Sequence, residues 1–141
     1  MENQVTKEVL EKLVNFIENK EKVSSILVVT SIETGADFTY KLTGIPKGVD
    51  NYFISMYYEI GYLDFVKGAY HFHDTQMLDK GNNSGNIKGA YWLLKYLMKK
   101  DFDFILDKTT ISHTGNCLKC NRELTDAESI EYGMGKTCRG K

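Results

Sequence analysis

The sequence predicts an α+β fold in which an N-terminal helix, a four-stranded antiparallel sheet and a second helix precede a small C-terminal module. Three observations predict it: two segments with helical apolar spacing, four apolar or aromatic segments separated by turn residues, and three cysteines confined to residues 117–141. The chain has 141 residues, 42% of them hydrophobic, which suits one domain with a small appendage. We place the α+β domain at 1–108 and the module at 109–141.

The two helices are predicted from apolar residues that recur at three- and four-residue steps. The first covers residues 4–19, and its apolar stripe consists of Val5, Val9, Leu10, Leu13, Val14 and Ile17. The second runs from about 86 to 99, and its stripe consists of Ile87, Ala90, Tyr91, Leu94 and Leu97. Each stripe needs an apolar surface to cover it, so we expect both helices to lie against the sheet.

The first two strands are predicted to form a hairpin. Residues 24–32 are rich in β-branched side chains, which favour strands. Thr34-Gly35 then supplies a turn, after which apolar and polar residues alternate over 37–42.

Two further strands complete the predicted sheet. Aromatic-rich segments at 52–59 and 62–72 follow a loop that contains the only proline, Pro46. Residues 74–86 are polar and glycine-rich, which predicts a loop before the second helix. Residues 102–106 are too few to distinguish a short strand from the end of a helix.

The C-terminal module contains four residues that can bind one metal ion: His113, Cys117, Cys120 and Cys138. The two-residue gap in the Cys-x-x-Cys pair lets both thiolates reach one ion, and four nitrogen or sulfur ligands complete a tetrahedral zinc site. Apolar residues are too few here for an independent core, whereas a structural zinc contributes roughly 10–16 kcal/mol of apparent binding energy. We therefore predict one structural zinc per chain, without a catalytic role.

A short helix is predicted to carry Cys138 back to the metal. Thr125 and Glu128 form a capping-box pattern at its start, and Gly133 suits a left-handed C-terminal cap. Two other interpretations of the cysteines stay open: a redox Cys-x-x-Cys pair unrelated to Cys138, or three free thiols. A redox pair normally begins a helix after a strand, which this pattern does not predict.

The module also resembles the C-terminal zinc-binding tail of a group of small, largely uncharacterised proteins of bacteriophages and prophages. The matching residues are His113, Cys117, Cys120, Arg122, Leu124, Thr125, Ser129, Gly133, Gly135 and Cys138. Upstream, 34–41 resembles the Thr-Gly-x-x-Phe-Thr-Tyr-Lys strand pair of the same group. Asn121 and Lys136 stand where that group often has Gly and Pro. The resemblance implies a phage-type accessory protein and brings no established activity.

The charge balance does not favour nucleic-acid binding by the surface as a whole. Lys and Arg total 18 and Asp and Glu total 19, so the net charge is -1. A local basic patch forms if the module folds back on the second helix; its candidate partner-binding residues are Lys95, Lys99, Lys119, Arg122, Lys136 and Arg139. The alternative is an ordinary solvated face.

These observations predict a non-enzymatic protein that binds a nucleic acid or a nucleoprotein machine. The alternative is an inhibitor of a host protein, for example a defence-system component, that acts by direct protein binding. A third hypothesis, a small hydrolase, uses His71 and His73 beside Asp74, although exposed histidines at a strand end are the more common explanation.

The aromatic residues of the central strands predict either a core or a base-stacking face. No apolar stretch approaches the ~20 residues that span a bilayer, so we expect a cytoplasmic protein, in the host cytoplasm if it is phage-encoded.

Overall fold

The structure is a computed structural model that describes residues 3–47, 51–61, 64–71 and 85–140. For a few of these it describes the backbone alone: 51, 58–61, 64–71 and 85–88. The predictions for the loop after the fourth strand and for His73 and Asp74 lie outside the described residues, as does the imidazole of His71.

The described elements follow the predicted α+β order, which is confirmed. They are α1 (Lys7–Glu18), β1 (Val23–Ser31), β2 (Asp37–Lys47), β3 (Asn51–Gly61), β4 (Asp64–His71), α2 (Gly85–Met98), α3 (Phe102–Lys108), β5 (Thr109–His113), α4 (Ala127–Tyr132) and α5 (Lys136–Arg139). The ambiguous segment at 102–106 is helical, because Phe102 and Ile105 bury one face at helical spacing. Pro46, predicted in a loop, instead lies near the end of β2, opposite Tyr52.

The sheet contains the four predicted antiparallel strands and a fifth that the sequence pattern did not reveal. The strand order is β4-β3-β2-β1-β5, and every neighbouring pair is antiparallel. β5 pairs with β1 from Leu27 opposite His113 to Ser31 opposite Thr109. The first strand of the predicted 109–141 module is therefore hydrogen-bonded into the sheet formed by residues of the predicted 1–108 domain, and the division of the chain into these two parts stays a prediction.

Residues 3–5 line the outer edge of β5, which explains why α1 starts later than predicted. The amide of His113 donates to the carbonyl of Asn3 at 2.9 Å, and the amide of Val5 donates to the carbonyl of Ile111 at 2.7 Å. The helix begins only after Thr6, whose side chain accepts a hydrogen bond from the amide of Val9 at 3.4 Å.

The main core lies between one face of the sheet and the helices α1, α2 and α3. Cross-strand pairing places Leu27 beside Tyr40 and Leu42 beside Met56 on this face, and all four side chains are buried. Apolar residues of the C-terminal module extend the same core: Leu118, Leu124 and Met134. The module is thus packed on the domain rather than tethered to it.

Helix α2 lies close to Tyr40 of β2 at Gly89. A Cβ atom at this position would collide with the hydroxyl of Tyr40. That hydroxyl is buried without a hydrogen-bond partner among the described residues, and burial raises the pKa of Tyr40 to about 12. The absence of a side chain at position 89 therefore sets the distance between α2 and β2.

We predict that Gly89→Ala destabilises the protein although alanine favours helices. Overpacking costs about 1–3 kcal/mol, which exceeds the roughly 1 kcal/mol that Ala gains over Gly in a helix. The test is urea unfolding at fixed metal concentration, and Tyr40→Phe provides the matched background because it removes the colliding hydroxyl. An equal loss of stability from Gly89→Ala in both backgrounds would contradict the proposed contact.

Candidate metal centre

Cys117 and Cys120 lie in a tight turn at the end of a short hairpin. The amide of Cys117 donates to the carbonyl of Arg122 and the amide of Asn121 donates to the carbonyl of Cys117, both at 2.8 Å. Asn121 has a left-handed backbone with φ of 62°. Gly and Asn are the residues that adopt this conformation most easily, which explains how Asn121 can replace the Gly of the resembling tail.

Cys138 reaches the same place through two short helices. Helix α4 ends at Gly133, which has φ of 96° and donates its amide to the carbonyl of Ser129 at 2.8 Å. The carbonyl of Gly133 then accepts the amide of Leu118 at 2.9 Å, which joins α4 to the cysteine turn. Helix α5 follows and carries Cys138 into a buried position. The left-handed cap was predicted from the sequence.

The N-terminal cap of α4 differs from the predicted capping box. Asp126, and not Thr125, is the cap residue, and its carboxylate accepts the amide of Ser129 at 3.0 Å. Hydrogen bonds from the Ser129 side chain and amide lower the pKa of Asp126. Asp is as good a cap as Thr, so the Thr-x-x-Glu pattern misplaced the helix start by one residue.

Three sulfur atoms converge in this module. The Sγ atoms of Cys117, Cys120 and Cys138 all lie within 4.8 Å of one another. A tetrahedral zinc ion with Zn–S bonds of about 2.3 Å requires sulfurs roughly 3.8 Å apart, so small movements suffice to bind one. Cys117 and Cys138 are buried and Cys120 is exposed. The three cysteines can therefore hold a metal ion close to the protein surface.

The environment of the cluster favours the thiolate of Cys117 and opposes that of Cys138. Burial alone would raise the pKa of Cys117, but hydrogen bonds from the amides of Cys120, Gly135 and Lys119 outweigh it and lower the pKa. Burial, together with the neighbouring Cys117 and Cys120, raises the pKa of Cys138 to about 12. Three thiolates so close together need a cation among them, which is what a metal ion supplies.

His113, the fourth predicted ligand, lies apart from the three sulfurs. Its Nδ1 atom accepts the amide of Gly115 at 2.9 Å, and its Nε2 atom is 2.6 Å from the carbonyl oxygen of Ile130. The imidazole is 2% exposed, on the core face of β5 opposite Leu27. The structure thus brings three of the four predicted ligands together and gives His113 other partners.

The six predicted partner-binding residues divide into two groups. Four are exposed: Lys95, Lys99, Arg122 and Lys136. The other two already have partners within the protein. Arg139 lies 3.9 Å from the carboxylate of Glu128 and over the ring of Tyr132. Lys119 is buried; its Nζ atom lies 3.5 Å from the carboxylate of Glu21 and 4.9 Å from the ring centre of Phe16.

Lys119 and its neighbours attach the module to the rest of the chain. The Nζ atom of Lys119 donates to the carbonyl of Lys22 at 3.3 Å. The backbone carbonyl of Lys119 accepts a hydrogen bond from the amide of Ser24 at 2.9 Å. The hydroxyl of Ser25 donates to the carbonyl of Leu118. These contacts join the cysteine turn to the end of α1 and the start of β1.

A cluster of rings and lysines on α2 and α3 was not recognised as a unit in the sequence. The centroids of Trp92, Tyr96 and Phe104 lie between 4.7 and 5.9 Å apart. Three ammonium groups lie 5.6–6.0 Å from ring centres: those of Lys95 and Lys99 over Tyr96, and that of Lys108 over Phe104. We call these six residues the aromatic–lysine patch. The i, i+4 spacing of Trp92 and Tyr96 was the available signal.

Comparison with known proteins gives one match. Residues 107–141, the last quarter of the chain, match a profile described as "Family of unknown function (DUF6011)". The match supports the expected resemblance of the C-terminal module to an uncharacterised family. Comparisons with curated proteins and with solved structures give no match. Among the described residues, no helix has the length and apolar character needed to cross a membrane.

We predict that Asp126→Ala lowers the melting temperature by a few degrees, whereas Thr125→Ala leaves it nearly unchanged. The first change removes the acceptor for an otherwise unpaired amide at the start of α4, and the second alters an exposed side chain outside the helix. Thermal unfolding followed by circular dichroism measures both. The reverse ranking of the two variants would restore the capping-box assignment.

Proposed function

We propose that this protein is a non-enzymatic accessory protein, of phage type, that carries a structural zinc and binds single-stranded nucleic acid alone or within a nucleoprotein machine. The aromatic–lysine patch is the observation that carries the nucleic-acid part of the proposal. The phage-type assignment rests on the resemblance of the C-terminal tail.

The donor set supports zinc at the cysteine cluster. Thiolate ligands select zinc and iron over magnesium or calcium, and a Cys-x-x-Cys turn closed by a distant cysteine is typical of structural zinc. The module has two helices of only six and four residues. Such short helices are marginal by themselves, so a metal that ties the first cysteine to the last stabilises both.

The aromatic–lysine patch supports single-stranded nucleic acid as the partner. Aromatic side chains stack on exposed bases, each worth about 1–3 kcal/mol, while neighbouring lysines neutralise phosphates. The adjoining groove is lined partly by Glu33 and Asp107, whose carboxylates repel phosphate. Lys95 and Lys99 do not line that groove, so we place the phosphate path along the exposed side of α2.

The single tryptophan of the chain, Trp92, lies in the patch and provides a direct assay. We predict that titration with a single-stranded oligonucleotide such as oligo(dT) quenches its fluorescence, because a stacked base quenches indole emission. The double variant Lys95→Gln/Lys99→Gln should bind more weakly. Its plot of log K against log salt should be shallower by about 1.4, or 0.7 for each lost phosphate contact.

The matched control is Lys22→Gln/Lys47→Gln, which removes the same charge from two exposed lysines outside the patch. If both double variants lose the same affinity, binding reflects overall charge and the patch assignment fails. Replacing the exposed module residues Arg122 and Lys136 with Gln measures how much the module contributes to oligonucleotide affinity.

Inhibition of a host protein is the second candidate function, and one surface feature favours it. Ile32 is 58% exposed at the groove that also contains Trp92 and Phe104, and exposed apolar residues at a groove are typical of protein interfaces. A host protein recovered with the wild-type protein after nuclease treatment, and lost with Ile32→Asp, would favour this candidate over nucleic acid.

Native mass spectrometry tests the zinc part of the proposal. We predict one zinc per chain in the purified wild-type protein and loss of that zinc from Cys138→Ser under mild competition with a chelator. Thr137→Ser, an exposed neighbouring change outside the cluster, should keep the metal. A wild-type protein without bound metal would contradict the proposed structural zinc.

A further inference from the structure

We infer that three cysteines are the only ligands the described chain supplies to the metal, and that its fourth coordination position takes an exchangeable donor from outside the protein. The three are Cys117, Cys120 and Cys138. This inference rests on the proposed metal binding and concerns what completes the site. The class of ligand is a small soft or borderline donor, such as a thiol or an imidazole, with water as the resting occupant.

The hydrogen bonds of His113 define its tautomer. The amide of Gly115 can only donate, so Nδ1 of His113 must accept with its lone pair, at 2.9 Å. The carbonyl oxygen of Ile130 can only accept, so Nε2 must carry the proton, at 2.6 Å. The imidazole is therefore neutral, and both of its nitrogens are used. It has no lone pair left for a metal ion.

The partners of His113 would be hard to replace. Ile130 lies in the last turn of α4, where carbonyl groups lack a partner within the helix. His113 supplies that missing donor from β5, and so fastens α4 to the sheet. If its Nε2 atom turned to a metal, the carbonyl of Ile130 would lose this donor in a part-buried position.

The ring of His113 is also held sterically. A Cβ atom at Gly133 would lie 3.3 Å from Cδ2 of His113 and 3.4 Å from a methyl group of Leu118. The ring thus packs against the backbone of Gly133, beside Leu118, which is fully buried. Rotation of the ring toward the cysteines would require this packing to move.

The remaining coordination position has access to solvent. No histidine, aspartate or glutamate of the described residues joins the three sulfurs within the 4.8 Å cluster. Cys120 is exposed, so a metal ion bound by the three sulfurs would lie near the surface on that side. Zinc with three protein ligands commonly binds water or another small ligand in the fourth position.

Cobalt substitution of the full-length protein tests the inference. Co²⁺ replaces zinc and reports its ligands by thiolate charge-transfer bands and by d–d bands near the red end of the spectrum. We expect charge transfer from thiolates in the wild-type protein, and d–d bands that shift in a saturable manner on addition of imidazole or 2-mercaptoethanol. His113→Gln should keep the same bands, because the residue does not touch the metal.

X-ray absorption of the zinc-loaded wild-type protein gives a second measurement that needs no variant. We expect three sulfur neighbours, one oxygen neighbour and no outer-shell scattering from an imidazole. Imidazole scattering would make a histidine of the chain the fourth ligand and overturn the inference; d–d bands that change in His113→Gln and ignore added ligands would identify that histidine as His113. If neither the added ligands nor His113→Gln changes the d–d bands, the fourth position is closed to exchange and the inference is also overturned. Absence of thiolate charge transfer would instead refute metal binding itself.

Discussion

The meeting of three thiols at one point is the constraint on which the C-terminal module depends. Cys117 lies shortly after the end of β5 at His113, whereas Cys138 lies on α5, so the chain between the two cysteines must form a loop that closes on itself. Burial and the two neighbouring cysteines raise the pKa of Cys138 to about 12, while amide donors favour the Cys117 thiolate. A metal ion binds most tightly to three thiolates. Without a cation, the raised pKa of Cys138 opposes that fully ionised state. A metal ion bound by the three sulfurs would remove that conflict and fix both ends of the loop.

The sheet supplies the other half of the module's stability. β5 is hydrogen-bonded to β1 on one edge and to residues 3–5 on the other, so the point from which the cysteine turn departs is fixed. Leu118 and Met134 then enter the core that β1 and the helices share. Lys119 illustrates the consequence for function: its ammonium group attaches the module to Glu21 and the end of α1, and is not available to a phosphate.

Local sequence patterns predicted an element correctly where the structure of that segment depends mainly on its own residues. The hairpin of β1 and β2 and the left-handed cap at Gly133 follow from alternation and from backbone conformation, and both are present. β5 was not predicted, because its five residues contain a single aliphatic side chain, Ile111, and its partner β1 is remote in sequence. The burial of His113 depends on that missed strand: pairing with Leu27 turns the imidazole to the core face. The spacing of His113 from the cysteines in the sequence could not reveal this strand register. The sequence also could not distinguish the exposed Lys95 and Lys99 from Lys119, which is buried beside Glu21.

The metal cluster and the aromatic–lysine patch are connected through β5, but they are held by different contacts. Phe104 and Lys108 belong to α3, whose end is fixed by the Thr109 hydroxyl bound to the carbonyl of Ile105 at 2.8 Å and by the Ile32 amide bound to the carbonyl of Lys108 at 3.1 Å. These contacts lie at the start of β5, and the cysteine turn departs from its other end. The cysteine turn also contacts the end of α1 through Lys119 and the shared core through Leu118, whereas the patch is held by α2 and α3. If both proposals hold, ligand exchange would take place at the cysteine cluster and nucleic-acid binding at the patch, so the two occupants need not compete.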